Sequence, residues 1–295
     1  MPRIAPPAGH ALRALVLGTT LAAAGSAGAQ TAPAPAKSAP PLRICASEVE
    51  APFSQKDAAS GQATGFENRI ATVLAKAMGR EAVFVWSPKA AIYQVRDGLD
   101  KNLCDVVMGI DTGDARVLSS KPYYRTSYVF VTKADRNVTT GDWQDPQIKA
   151  LGRFVVRFYS PGETLLKRLG KYEDNAAYLY GLVNFKSPRN QYVEVPADRM
   201  VSEVASGEAD VAFAFAPEVA RYVKASTVPL RMTVATTDLA RFDGTPIPLH
   251  YDQSIGVRKG DAALLQEVDA ALAKARPDID AILTEDGIPL LKPNS

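Results

Sequence analysis

From residue 42 to residue 110 the chain alternates strand and helix, with a polar loop from Glu48 to Gly65 after the first strand and short connections thereafter. Leu42-Arg-Ile-Cys-Ala46 reads as a short buried strand. Glu67 to Met78 then sets Ile70, Val73, Leu74 and Ala77 at helical spacing and stops at Gly79, a residue suited to a C-cap. Ala82-Val-Phe-Val-Trp86 is a second strand, Ala91 to Lys101 places Ile92, Val95 and Leu99 on one helical face, and Asp105 to Ile110 is a third strand. Parallel neighbours cannot be joined by a tight turn, so this β-α-β-α-β succession predicts a parallel sheet covered by helices.

The pattern returns further on. Phe154-Val-Val-Arg-Phe158 is a strand, and Ser160-Pro-Gly-Glu163 opens a helix through Leu165, Leu166 and Leu169. Met200 to Gly207 carries Val201, Val204 and Ala205 on one face, Asp210 to Phe215 is a strand, and Pro217 sits in the first turn of another helix. Ser254-Ile-Gly-Val257 is a last strand, and Ala262 to Ala275 an amphipathic helix. Two β/α lobes joined by extended crossings near 128–133 and 252–258 are expected. A ligand would sit between them, at the carboxyl ends of the strands.

The N-terminus reads as an address. Arg3 and Arg13 precede an apolar stretch, Ala14 to Ala24, that is too short to span a bilayer, and Ala27-Gly28-Ala29 offers a small-residue cleavage site. Residues 1–29 are expected to be a signal peptide and 30–41 a disordered Pro/Ala-rich leader. No other stretch predicts a membrane span. The expected mature protein is periplasmic, and it loses Arg3 and Arg13 but no acid, so its formal charge falls from +2 to 0. A neutral chain has no broad basic field for nucleic acid.

The residues also limit the chemistry. Only His250 remains after the leader, which excludes a multi-histidine zinc site. Asp105, Asp111 and Asp114 lack calcium-loop spacing, so no metal is expected. No Cys-x-x-Cys-His is present for covalent haem, and no cofactor is expected. Cys45 and Cys104 fall on neighbouring buried strands; a disulfide and two buried thiols both remain open.

The run Cys104-Asp-Val-Val-Met-Gly-Ile-Asp-Thr-Gly-Asp-Ala-Arg116, followed by Lys121-Pro-Tyr-Tyr-Arg125, resembles the first-lobe ligand edge of periplasmic solute-binding proteins of family 3. Phe53 in a Pro-Phe pair, Gly65-Phe66-Glu67, and Ser206-Gly-Glu-Ala-Asp-Val211 follow the same pattern. The resemblance implies a bilobal α/β periplasmic-binding-protein-like fold of type II. Lobe one would be 42–130 plus 255–295, and lobe two 131–254. It also implies that Arg116 grips a ligand carboxylate, as a guanidinium fork can; pairing with Asp111 or Asp114 is the structural alternative. The family's other amino-acid contacts are altered, with Gly113 for a hydroxyl residue and Phe215 or Ala216 for an acid. Candidate cleft residues are Ser47, Phe53, Glu67, Asp111, Arg116, Gly162, Glu163 and Phe215. An ordinary α-amino acid is not the expected ligand.

Longer segments are similar to the methanol oxidation system protein J (MoxJ/MxaJ) family. They include Gly65-Phe-Glu-Asn-Arg-Ile-Ala71, Ala177-Tyr-Leu-Tyr-Gly-Leu-Val-Asn-Phe185 and Ser187-Pro-Arg-Asn-Gln-Tyr192. That resemblance implies a monomeric, non-catalytic accessory protein that supports maturation, assembly or activity of a PQQ-dependent methanol dehydrogenase by docking on its subunits. A binding protein for a small anionic ligand, a carboxylate or cofactor, is the alternative. An enzyme using Glu67 or Glu163 as acid or base is a third reading. The insertion 172–192 holds Tyr172, Tyr178, Tyr180, Phe185, Arg189 and Tyr192, a composition that suits a partner interface as well as extra core.

Overall fold

The computed structural model of the protein describes residues 39–183 and 194–292. The expected signal peptide and most of the leader lie outside the described residues, as do Phe185, Arg189 and Tyr192. The first β/α unit comprises β1 (Leu42–Ser47), α1 (Phe66–Ala77), β2 (Ala82–Ser87) and β3 (Val106–Asp111). β1 lies between β2 and β3 and runs parallel to both. Helix α1 buries Phe66, Ile70, Ala71 and Leu74, the face its spacing predicts.

A ten-residue strand, β4 (Tyr124–Lys133), leads into the second unit. There β5 (Phe154–Val155), α2 (Pro161–Arg168), α3 (Tyr172–Leu182), α4 (Ala197–Ser206), β6 (Val211–Phe215), α5 (Ala216–Ala225) and β7 (Leu230–Val234) follow in order. The chain returns through β8 (His250–Val257) to the long helix α6 (Ala262–Glu285). One sheet runs β2-β1-β3-β8-β4-β6-β5, with β7 also on β4.

The two crossings are β4 and β8, and they pair with each other. Ser127 faces His250, Thr126 faces Tyr251 and Arg125 faces Asp252, an ion pair inside the crossing ladder. Beyond Tyr128, β4 pairs with β6 instead. One strand therefore belongs to both halves. Buried side chains form one large cluster from residues 129–249 and another from 42–124 and 255–288.

Ala220 of α5 is buried in the second of these clusters, so lobe two leans on lobe one there. Buried Asp286 accepts hydrogen bonds from Arg69 of α1 at 2.6 Å and from Arg221 of α5 at 2.8 Å. Lys224 donates to the carbonyl of Glu285 at 2.8 Å, which satisfies an end-of-helix acceptor of α6. Helix α5 thus joins the lobes by charge as well as by packing.

Three elements differ from expectation. The 91–101 segment is a 3-10 turn followed by a π-turn, with Asp100 N bonded to Val95 O and Leu103 N to Gly98 O. The strand expected over 154–158 pairs only at Phe154 and Val155, because Tyr159 turns the chain at φ 59° and Arg157 reaches away toward Glu218. The last helix runs past Ala275 to Glu285. Pro277 forgoes one hydrogen bond there, while Ile279 and Leu283 keep the core-facing spacing.

Candidate functional site

Between the lobes lies a cleft of ≈ 650 Å³. The start of α1 builds one wall. Phe66 N and Glu67 N donate to the carbonyls of Pro52 and Phe53, which lays the Phe53 loop on the helix end. Gly65 makes this approach possible, since a Cβ there would come within 1.9 Å of the Phe53 carbonyl oxygen. The Phe53 ring packs on Phe66 at 5.2 Å between centroids, and Glu67 points into the cleft beside it.

Glu67 is only 6% exposed. Its Oε1 accepts from the Tyr123 hydroxyl at 3.0 Å, and that hydroxyl accepts from Gly109 N at 3.1 Å. Gly109 has φ 64°, and a Cβ on it would meet Glu67 Oε1 at 2.5 Å, so this strand end needs glycine twice over. Among the described residues no basic side chain pairs with Glu67, and burial pushes its pKa up to about 7 against the pull of the Tyr123 hydrogen bond. Asp111, at the end of β3, accepts from Gln253 Nε2 at 2.6 Å, and Glu50 accepts from Ala91 N at 3.0 Å. Both are raised, again chiefly by burial.

The opposite wall belongs to lobe two. Arg157 donates to Glu218 at 3.0 Å and lies 3.2 Å from Glu194. Burial works against the Arg157 charge, and the three acids Glu218, Glu194 and Glu50 outweigh it. Glu218 is raised by burial in spite of this partner. Tyr128, Phe215 and Tyr251 form a mutual cluster, with centroid separations of 5.6 Å for Tyr128–Phe215, 6.2 Å for Tyr128–Tyr251 and 5.6 Å for Phe215–Tyr251. Tyr159, 90% exposed, stands among the lining residues.

Of the eight cleft candidates named from the sequence, Phe53, Glu67, Asp111 and Phe215 line this cleft. The others do not. Ser47 is buried at the end of β1 and donates to the Lys89 carbonyl at 3.1 Å. The Arg116 guanidinium is closed on Asp114, with Nη2 2.6 Å from Oδ2 and Nε 3.1 Å from both carboxylate oxygens. Two residues of spacing let the carboxylate fold back on the fork, so the alternative pairing prevails in this structure. Gly162 packs against Val156, and Glu163 accepts from Tyr159 N at 2.6 Å while pairing with Lys167. The acid at the start of α2 therefore holds its own turn and is not part of the cleft.

Sequence reasoning missed Glu50, Arg157, Glu194, Glu218, Tyr251 and Gln253. Arg157 did leave a signal, a charge inside an apolar strand, and Glu218 another, an acid one residue past the helix-opening Pro217. Glu50 lies in polar loop sequence and Glu194 in a short stretch without helix or strand periodicity, and neither left one.

The tyrosine-rich insertion divides. Tyr172 and Tyr178 pack on the lobe-two core, and the Tyr178 hydroxyl donates to Glu203 at 2.8 Å. Tyr180 stays 62% exposed, stacked on Phe158 at 4.7 Å. Cys45, within β1, and Cys104, two residues before β3, are joined in a buried disulfide. No helix among the described residues is long and apolar enough to cross a membrane.

Residues 42–285 match bacterial extracellular solute-binding proteins, family 3. Protein MoxJ of Methylorubrum extorquens is 55% identical over 250 residues, which cover 85% of this chain and 81% of that protein. Protein MoxJ of Paracoccus denitrificans is 51% identical over 250 residues, 85% of this chain and 89% of that one. The crystal structure of MxaJ from Methlophaga aminisulfidivorans superimposes with a TM-score of 0.77 at 47% identity, covering 85% of this chain and all of that chain.

Proposed function

This chain belongs to the bacterial extracellular solute-binding proteins, family 3, and from that premise we propose that it acts in the periplasm as a non-catalytic accessory protein of methanol oxidation. It docks on the subunits of a PQQ-dependent methanol dehydrogenase and supports their maturation, assembly or activity. The observation that carries this reading is the identity to two proteins named MoxJ, which at 55% and 51% runs through both lobes.

The cleft supports the same reading. A transported amino acid needs a free guanidinium for its carboxylate, and Arg116 is closed on Asp114 while Arg157 is held by Glu218 and Glu194. A small carboxylate would also face the acids Glu50, Glu67 and Asp111, none of which is ion-paired among the described residues. The paired crossings provide a hinge between two states, which lets the lobes grip and release a partner segment. The exposed rings of Tyr159 and Tyr180 supply the aromatic character of a contact surface.

Deleting the gene in a methanol-grown host tests the role in the cell. The expected strain contains dehydrogenase polypeptide but poorly matured enzyme, with methanol oxidation restored by the gene in trans. Normal dehydrogenase activity in the deletion strain would contradict the proposal.

A further inference from the structure

We propose that the cleft takes an organic cation, an ammonium or guanidinium group, that carries no carboxylate beside it. Three acids of lobe one, Glu50, Glu67 and Asp111, line the cleft, and none has a basic partner among the described residues. Each accepts a hydrogen bond from a neutral donor only: a backbone N–H, a tyrosine hydroxyl or a glutamine amide. Glu67 is the most telling of the three. It is more than nine-tenths buried, it points into the cavity, and its Oε2 accepts no hydrogen bond among the described residues. A buried carboxylate left in this condition is costly unless a donor or a cation arrives to meet it.

The aromatic triad is an independent sign of the same ligand. Tyr128, Phe215 and Tyr251 pack within about 6 Å of one another and line the same cavity. Ring faces attract cations most strongly where water is excluded. Acids on one wall of the cleft and rings on the crossing strands and β6 suit a group that is positively charged at its tip and apolar along its stem. The cleft's own cation, Arg157, is paired with Glu218 and Glu194 and reaches Glu50 only through its field, while no basic group among the described residues acts on Glu67.

The missing carboxylate follows from the two arginines. Arg116 is closed on Asp114, and the Arg157 charge is already shared by Glu218 and Glu194, so among the described residues a zwitterion's carboxylate would meet no unshared guanidinium in the cleft. The ligand is therefore either a free amine or guanidine, or the side chain of a lysine or arginine whose own carboxylate lies in a peptide bond.

Calorimetry on the mature protein at pH 8 decides this with three probes: agmatine, arginine, and Nα-acetyl-L-arginine amide. The expected result is binding of agmatine or the blocked arginine, with free arginine weaker by about tenfold or more. Preference for agmatine would identify a free small cation, and preference for the blocked arginine a side chain presented by a polypeptide. In Glu67→Gln and Asp111→Asn proteins, checked for folding by circular dichroism, cation affinity falls by about tenfold. No binding of either cation, free arginine bound as tightly as agmatine, or unchanged affinity in both folded variants overturns the inference.

The inference rests on the reading that the cleft is a contact site, but the two fail separately. Capture of dehydrogenase by a protein that ignores both cations defeats this inference alone. Cation binding without dehydrogenase capture defeats the docking role alone.

Discussion

Replacing Glu67 with glutamine is expected to stabilise the protein at pH 8 by roughly 3 kcal/mol, and to do little at pH 4. In the unfolded chain this carboxyl titrates near the ordinary value of 4.5, and in the folded protein burial raises it to about 7. The folded state therefore holds a proton that the unfolded state has released. Stability from this group is fully present below the lower value and is lost as pH rises through the upper one. Glutamine is neutral throughout, and its carbonyl still accepts the Tyr123 hydroxyl hydrogen bond. Chemical denaturation of both proteins across pH 4 to 9 should show curves that meet at low pH and separate between about pH 5 and 8. Parallel curves would mean that Glu67 is solvated or paired in the folded protein. A site that sacrifices stability at working pH makes sense where a ligand's positive charge completes it.

Loss of the Cys45–Cys104 bridge is expected to cost about 4 kcal/mol, the loop-closure value for a link of this span. The two residues are 59 positions apart, and the bridge closes the whole α1–β2 excursion of lobe one. Alanine at both positions avoids placing new polar groups among Val95, Leu99 and Val107, which surround the sulfurs. The double variant should unfold at lower denaturant concentration than the oxidised protein, and reducing agent should have no further effect on it. A change below about 1 kcal/mol would mean that the unfolded chain is already compact in this region.

Much of the architecture was legible because it rests on local patterning. The apolar spacing of Ile70 and Leu74 in α1, or of Val201 and Val204 in α4, marks a helix face whatever the partner. Segments failed where a tertiary contact overrode the pattern, as at Arg157, whose side chain leaves the strand for an acid 61 residues away. The cleft was half legible for the same reason. Glu67, Asp111 and Phe215 stand at strand ends or a helix start, where a two-lobed sheet puts its ligand edge, and Phe53 sits in the loop packed on that helix start. Glu50, Glu194 and Glu218 come from three separate segments and meet only when the lobes pack. Arg116 is the instructive case. Its place in the sequence suits a ligand fork, but whether a nearby carboxylate folds back onto it depends on the backbone of a single turn.

With that arginine tied off, we propose a solute-binding fold directed toward a protein partner. The most direct measurement is affinity capture of the tagged mature protein from the periplasm of methanol-grown cells, with mass spectrometry of the proteins and small molecules retained. Methanol dehydrogenase subunits are expected to be recovered with it. A stoichiometric small molecule in the absence of any dehydrogenase subunit would contradict the proposal.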